Sequence, residues 1–190
     1  MKTKPVRFYF AYNSPYAFLA NTRIAREVAP FNVTLDYKPV YSPPAGGPPD
    51  FESPRFRYIF EDVARFAEAY GLDLDPGPFA DTRRACLGLL IAGEANHGVG
   101  YHDAVFRARW LDGKNLADDQ TLIDAAEAAG MSGDALLAAL DEPRWAQALD
   151  QQQADAKADG VFGVPFFVYE DHHFWGNDRI EWLVRELQKR

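Results

Sequence analysis

Cysteine is almost missing from this 190-residue sequence, in which Cys86 is the single thiol. One thiol excludes an internal disulfide and any CxxC pair, so the chain has no dithiol redox chemistry of its own. The lack of a disulfide framework is typical of proteins from reducing compartments. Because Cys86 lies in an apolar helical context, we interpret it as a buried structural residue.

Positive charge and long apolar runs are also scarce. The formal net charge is -8, with 28 Asp and Glu residues against 20 Lys and Arg residues. A surface of this sign does not neutralise phosphates or bind anionic lipid, so nucleic acid and membranes are not expected partners. The apolar run Val6–Phe10 is too short for a signal peptide, and no stretch is long enough to span a bilayer. We therefore expect a cytoplasmic protein.

The four histidines do not form a chelating set. His172 and His173 are neighbours on a predicted strand, where adjacent side chains point to opposite faces, and His97 and His102 lie at helix edges. No glycine-rich segment follows a strand into a phosphate-binding turn. The sequence predicts neither a metal site nor a nucleotide site.

The start of the chain is patterned as a βαβ unit. Val6–Phe10 is a short β-favouring run, after which Ser14 and Pro15 provide a helix N-cap and a first-turn proline. Apolar residues then recur at helical spacing until Pro30, and residues 32–37 alternate in polarity as a second strand. The handedness rule predicts that the two strands are parallel in one sheet.

A proline-rich loop, a helical stretch and a second β region follow. Residues 39–54 are rich in proline, and residues 56 to about 157 show an almost wholly helical pattern. Residues 164–169 and 172–175 then read as a hairpin with its turn at 170–171. A final helix carries one apolar stripe, for which Asp178 and Glu181 match a capping box.

The order βαβ, helical insert, ββα predicts an α/β fold, in which a thioredoxin-like sheet is interrupted by a large all-helical insertion. A β-hairpin plus a final helix, joined to an opening βαβ unit, is the layout of such a sheet. We assign residues 1–45 and 158–190 to the thioredoxin-like domain and residues 46–157 to the helical insertion.

Three parts of the chain resemble those of a known family. They are FYFAYNSPYAFLA at 8–20, PRFRY at 54–58 followed by Asp62, and GVFGVPFFV at 160–168 with FWGNDR at 174–179. In these parts the chain resembles the 2-hydroxychromene-2-carboxylate isomerases, relatives of the kappa-class glutathione transferases and, more distantly, of DsbA-type proteins. The resemblance implies a DsbA/kappa type of thioredoxin-like fold, glutathione as cofactor and a homodimer.

Ser14 matches a serine that stands where redox relatives of the family place the attacking cysteine, so the resemblance implies that it is the catalytic residue. A hydroxyl at a helix N-terminus can donate a hydrogen bond to a thiolate, and the helix dipole adds partial positive charge there. Both effects favour ionised sulfur, which is the nucleophilic form. From the dipeptide alone, a simple N-cap is the alternative.

Two C-terminal segments match the cofactor contacts of the family. Val164 and Pro165 match a cis-proline loop that presents backbone groups to the cysteinyl part of glutathione, although the residues alone also allow a trans proline at a strand start. Asn177 and Asp178 match the segment that binds the γ-glutamyl end, with a carboxylate that meets the ammonium. A helix cap would explain Asp178 without any ligand.

Arg55 stands where relatives commonly have lysine, so a planar guanidinium would meet a carboxylate of glutathione or of substrate. Trp175 lies beside the implied site, with a core or interface position as its alternative. The proline-rich loop at 42–49 departs from the family pattern, which leaves the glycyl-end contacts and the substrate choice open. Our candidate substrate-pocket residues are Tyr12, Asn13, Tyr16 and Trp175.

The resemblance implies a glutathione-dependent isomerase of an unsaturated aromatic carboxylate from a degradation pathway. The thiolate would add reversibly to the conjugated substrate, allow rotation about the new single bond and then leave. A kappa-like glutathione transferase, or a DsbA-family oxidoreductase relative, is one alternative. A non-redox thioredoxin-like module that binds peptides in the cis-proline groove is the other.

Overall fold

The computed structural model describes residues 4–41 and 49–189. These residues contain a four-stranded sheet and eight α-helices. The strands are β1 (Val6–Phe10), β2 (Leu35–Pro39), β3 (Phe166–Tyr169) and β4 (His172–Trp175). The helices are α1 (Pro15–Val28), α2 (Pro54–Tyr70), α3 (Arg83–Glu94), α4 (Gly98–Trp110), α5 (Asp119–Ala128), α6 (Gly133–Leu140), α7 (Pro143–Ala158) and α8 (Ile180–Leu187). Within these described ranges no helix is both long enough and apolar enough to cross a bilayer.

The sheet has the strand order β2-β1-β3-β4. β1 and β2 are parallel, with Val6 opposite Leu35, which confirms the predicted βαβ unit. β3 is antiparallel to both of its neighbours, with Tyr9 opposite Phe166 and Phe166 opposite Trp175. The predicted β3–β4 hairpin is therefore confirmed, and the predicted thioredoxin-like α/β architecture with it.

Two predicted strand starts were wrong by a few residues. β2 begins at Leu35 and not at residue 32, because Asn32 adopts a left-handed conformation (φ 52°) that ends a short 3₁₀ helix, Ala29–Phe31. β3 begins at Phe166 and not at residue 164, because Pro165 has no N–H to donate to the ladder. In both cases a local backbone feature prevents the predicted first residues from pairing with the neighbouring strand.

The predicted capping box of the last helix is also wrong. Asp178 lies inside a 3₁₀ helix, Asn177–Arg179, that precedes α8, and no side chain caps either helix. Asp178 instead pairs with Arg179 at 3.3 Å, and Glu181 pairs with Arg23 of α1 at 2.9 Å. The two acidic side chains are thus engaged by cations and not by the helix start.

Side-chain alternation along β1 and β3 gives the sheet two buried faces. On one face Phe8 stacks on Phe167 with ring centroids 4.9 Å apart, and both side chains are fully buried. The other face is covered by α7, whose Ala156 packs with Tyr9 and Phe166. Strands that are buried on both faces read as nearly continuous apolar runs, as β1 and β3 do.

The chain forms two compact units. The first unit consists of the chain up to Val40 and from Ala146 onward. The second unit is Tyr41–Trp145, which contains α2 to α6. This division differs from the predicted boundary at 157/158, because α7 packs on the sheet and its Gln153 donates to the carbonyl of Pro39 at 3.2 Å. The predicted boundary at 45/46 lies outside the described residues.

Cys86 lies in the second unit, where α3 packs against α4 and α6. The thiol is fully buried, and desolvation raises its pKa to about 12. It is therefore neutral at physiological pH, which agrees with a structural cysteine. Among the described residues no group of three His, Cys, Asp or Glu side chains is placed to hold a metal ion.

A polar network of Arg7, Tyr9 and Asp159 connects the end of α7 to β1. The Tyr9 hydroxyl donates to Asp159 Oδ2 at 2.6 Å, and Arg7 Nε lies 2.7 Å from the same oxygen. Burial and the neighbouring Asp159 carboxylate raise the pKa of Tyr9, so its hydroxyl stays protonated and remains a donor. Because Asp159 directly follows α7, the network fixes the point from which the chain enters the segment before β3.

We expect Asp159→Ala to lower the free energy of unfolding by about 1–3 kcal/mol, because the buried Tyr9 hydroxyl loses its acceptor. Urea denaturation followed by circular dichroism measures this change. The matched control is Asp150→Ala, since Asp150 is exposed on α7, and its change should stay within about 0.5 kcal/mol. Equal losses in the two variants would contradict a specific role for the network.

Candidate functional site

Ser14 is the N-cap of α1. Its backbone is extended (φ -90°, ψ 115°), and its Oγ accepts a hydrogen bond from the N–H of Ala17 at 3.2 Å. Pro15 occupies the first turn, as predicted, and that turn contains no acidic side chain. Because Oγ accepts from the helix, its own proton is left to donate to a group in front of α1, where the peptide dipoles add partial positive charge.

The strand register brings the cis-proline segment to the sheet end at which α1 begins. β1 runs toward Ser14, and its Tyr9 pairs with Phe166, so Pro165 follows at the carboxyl end of β1. The peptide bond between Val164 and Pro165 is cis, which confirms the predicted geometry. Val164 is partly buried against the cluster that contains Tyr9, and Pro165 is buried.

The segment after β4 is tied to the cis-proline. Gly176 donates its N–H to the carbonyl of Pro165 at 2.9 Å. Glycine is required there, because φ is 117° and an added Cβ would lie 2.7 Å from Asp178 Oδ1. The 3₁₀ helix Asn177–Arg179 packs against both α1 and α8. The predicted cofactor contacts of the C-terminal region thus lie in the same unit as Ser14.

Asn177 and Asp178 differ in their exposure. Asn177 is buried, at 2% exposure, whereas the Asp178 side chain is 55% exposed. The Asp178 carboxylate lies 3.3 Å from the Arg179 guanidinium, and an exposed pair of this kind contributes only about 0–1 kcal/mol. The carboxylate can therefore exchange this partner for a ligand cation at little cost in free energy.

The four candidate pocket residues are placed differently. Tyr12 is fully buried, and its ring packs edge-on against Phe10 with centroids 5.1 Å apart, so it belongs to the core. Asn13 and Tyr16, which flank the start of α1, are partly exposed. Trp175 lies at the end of β4 and is 54% exposed. It is therefore not a core residue of this chain, which was the alternative to a place in the pocket.

Phe162 is a residue that the sequence reasoning missed. It is 71% exposed, and its ring meets that of Trp175 with centroids 4.8 Å apart. An added Cβ on Gly163 would lie 2.8 Å from Trp175 Nε1, so the indole sits directly over the glycine. The signal that could have found Phe162 is an aromatic residue in a loop segment two positions before a predicted cis-proline peptide.

Arg55 belongs to the second unit, in the first turn of α2. Ser53 caps this helix by accepting from the N–H of Phe56 at 3.5 Å, and no acidic residue lies in the first turn. Arg55 is exposed and forms no ion pair with any residue that the structure describes. Its contact with a carboxylate stays a prediction. Residues 42–48 of the proline-rich loop lie outside the described residues.

The first unit thus offers three kinds of group to a ligand. Ser14 provides a hydroxyl donor at a helix start, the segment around Pro165 provides backbone groups, and Asp178 provides an exposed carboxylate. None of these is a strong nucleophile at neutral pH. The arrangement is suited to binding a polar ligand and stabilising an anion that the ligand carries.

Comparison with known proteins shows the family and the fold of the chain. Residues 5–188 match the DsbA-like thioredoxin domain family. A 2-hydroxychromene-2-carboxylate isomerase of Sphingobium xenophagum is 29% identical over an alignment of 193 residues, gaps included. The alignment covers 97% of this chain and 98% of that protein. A solved structure of a 2-hydroxychromene-2-carboxylate isomerase has a TM-score of 0.86 at 26% identity and covers 97% of this chain and 94% of its own. A probable DsbA oxidoreductase from Streptomyces coelicolor has a TM-score of 0.82 at 20% identity, over 98% of this chain and 89% of its own, which shows the shared fold alone.

These similarities confirm the family relationship and the fold that the sequence predicted. They extend over nearly the whole chain and include the sheet, the start of α1 and the cis-proline segment. The chain belongs to the DsbA-like thioredoxin domain family, and its relatives include proteins named 2-hydroxychromene-2-carboxylate isomerase.

Proposed function

We propose that the protein is a glutathione-dependent isomerase of the 2-hydroxychromene-2-carboxylate type, which acts on an unsaturated aromatic carboxylate. The observation that carries the proposal is the serine N-cap Ser14 at the sheet end that also holds cis-Pro165. Relatives that are named as isomerases and cover 97% of the chain support an enzymatic role. The homodimer and the cytoplasmic location stay predictions.

The residues of the first unit fit the parts of glutathione. Backbone groups around Val164 and Pro165 suit the cysteinyl peptide, because an extended peptide pairs with main-chain groups at a strand start. Asn177 and Asp178 suit the γ-glutamyl end, where the exposed Asp178 carboxylate would face the ammonium. Arg55 is the candidate partner for a carboxylate of glutathione or of the substrate.

The bound thiol supplies a nucleophile that adds reversibly to a conjugated double bond, so that isomerisation can take place about the resulting single bond. Ser14 donates its hydroxyl proton in a hydrogen bond to the sulfur and, with the dipole of α1, stabilises the thiolate. The serine forms no covalent bond with the substrate in this scheme. Its role is to hold the sulfur and to keep it ionised near neutral pH.

The residues of the chain do not fit dithiol oxidoreductase activity. The N-cap position holds Ser14, and the single cysteine, Cys86, is fully buried with a pKa raised to about 12 by desolvation. A neutral, buried thiol without a second cysteine can neither attack a disulfide nor resolve one. A glutathione transferase would use the same site residues and is distinguished by its product, a stable thioether.

Reduced glutathione titrated into the purified protein in a calorimeter is expected to bind saturably. Ser14→Ala should weaken this binding about 5- to 100-fold, because it removes a hydrogen bond to a charged sulfur, and should lower turnover as well. The matched control is Thr22→Ala, which removes a hydroxyl that donates to the carbonyl of Leu19 within α1 and should leave binding unchanged. Unchanged binding and turnover in a folded Ser14→Ala variant would remove Ser14 from its assigned role.

The electrostatics of the helix start can be tested without glutathione. In Ser14→Cys we expect a thiol pKa of about 5–7, below the usual value of about 8.5, because a thiolate there is stabilised by the start of α1. Thiolate absorbance near 240 nm measured against pH reports this residue alone, since Cys86 has a pKa of about 12. The matched variant is Ser132→Cys, the N-cap of the shorter α6, whose first turn contains Asp134, so its pKa should be higher. A pKa for Ser14→Cys at or above the usual value would contradict the proposed stabilisation.

The γ-glutamyl contact can be tested by a charge change. Asp178→Asn is expected to weaken glutathione binding about 3- to 30-fold, because the ammonium loses a carboxylate partner. Glu181→Gln removes the same charge three residues further on, where Glu181 pairs with Arg23, and should change the affinity less than about twofold. Equal effects of the two substitutions would indicate a general charge effect and no contact at Asp178.

A further inference from the structure

Two large aromatic side chains of the first unit lie in water beside the candidate site. Phe162 is 71% exposed and Trp175 is 54% exposed. Their ring centroids are 4.8 Å apart and their planes are inclined at 68°, which is edge-to-face packing. Leaving apolar rings in water forgoes the free energy that burial provides, so two exposed rings in contact are a candidate surface for an apolar group.

The pair is attached to both segments that carry the candidate cofactor contacts. Phe162 lies two residues before Val164, and its ring also contacts Phe166 with centroids 5.4 Å apart. Trp175 pairs with Phe166 across the β3–β4 ladder and immediately precedes Gly176, whose N–H donates to the carbonyl of Pro165. The sheet therefore holds the two rings at the same end as the cis-proline.

Gly163 keeps the two rings in this arrangement. An added Cβ at this position would lie 2.8 Å from Trp175 Nε1 and 3.2 Å from its Cε2, so any larger residue would displace the indole. The loop that carries Phe162 thus passes directly under Trp175. The arrangement leaves most of the Phe162 ring accessible while one edge of the pair is fixed by the backbone.

The size of the exposed pair limits what can bind it. From side-chain areas of about 150–250 Å² each, the two rings present about 200–300 Å² to solvent. A stable protein–protein interface needs about 800 Å² from each partner. The exposed area of the pair matches that of one small ring system, and on its own it is well below the area of a protein–protein interface.

We propose that Phe162 and Trp175 form an aromatic platform that binds the ring of the substrate and makes the site selective for aromatic over aliphatic unsaturated acids. This inference rests on the proposed function, because it assigns the platform to the substrate of the glutathione reaction. A flat ring stacks on one member of the pair while the other member contacts its edge, at centroid distances of about 4.5–7 Å. The platform thereby holds the conjugated side chain of the substrate at the sheet end that carries cis-Pro165 and the start of α1.

The test compares two acids that share a conjugated double bond and a carboxylate. Trans-cinnamate carries a phenyl ring where crotonate carries a methyl group. Calorimetric titration in saturating reduced glutathione should show that the native protein binds cinnamate at least about tenfold more tightly than crotonate. In the double variant Phe162→Leu with Trp175→Leu, this preference should fall below about threefold, because the two rings that contact the phenyl group are removed.

The matched control is Trp182→Leu, since Trp182 of α8 is also 54% exposed. It should keep the full preference for cinnamate, and circular dichroism checks that every variant is folded. Equal binding of the two acids by the native protein, no measurable binding of cinnamate, or the same loss in Trp182→Leu would each overturn the platform.

A separate titration with glutathione alone distinguishes failure of the platform from failure of the proposed function. Glutathione binding without a ring preference removes the platform and leaves the proposed function in place. Ring preference that depends on Phe162 and Trp175, measured in a protein that does not bind glutathione, supports the platform and removes the glutathione role.

Discussion

The pairing of β3 with both β1 and β4 is the constraint on which the candidate site depends. Because β3 lies between the two strands, Pro165, which immediately precedes β3, falls beside the end of β1 and beside the segment that follows β4. The hydrogen bond from Gly176 to the Pro165 carbonyl then joins the two C-terminal segments. One register thereby assembles the cis-proline, the γ-glutamyl candidates and the aromatic platform.

The proposed function requires the site to stabilise a nucleophile that it does not contain. Ser14 places a hydroxyl donor in the positive field of a helix start, and the one thiol of the chain is buried in the other unit with its pKa raised by desolvation. A thiol ligand would gain what Cys86 lacks, namely a hydrogen-bond donor and a helix dipole that favour the anion. Under the proposed function, this division of roles would let a DsbA-like fold serve a reaction other than disulfide exchange.

Most helices and the opening βαβ unit were predictable because their determinants are local. Ser14 and Pro15 mark the start of α1 whatever surrounds them, and apolar spacing marks the later helices. The errors fall where a distant partner or a special backbone conformation intervenes. Glu181 matched a capping box in the sequence, but in the structure it pairs with Arg23, 158 residues away. The other kind of error occurs at Asn32, whose left-handed conformation makes β2 begin later than the sequence predicted.

The sequence by itself determined the class of fold, the serine at the helix start and the lack of a second cysteine, and the resemblance of its motifs to a known family predicted the cis-proline. The tertiary structure alone decided that Tyr12 is core, that α7 covers the sheet, and that Phe162 and Trp175 stand in contact in solvent. The physical reason is that caps, turns and periodicity act between near neighbours in the chain. Exposure and ring contacts depend on which remote segments come to lie against a side chain.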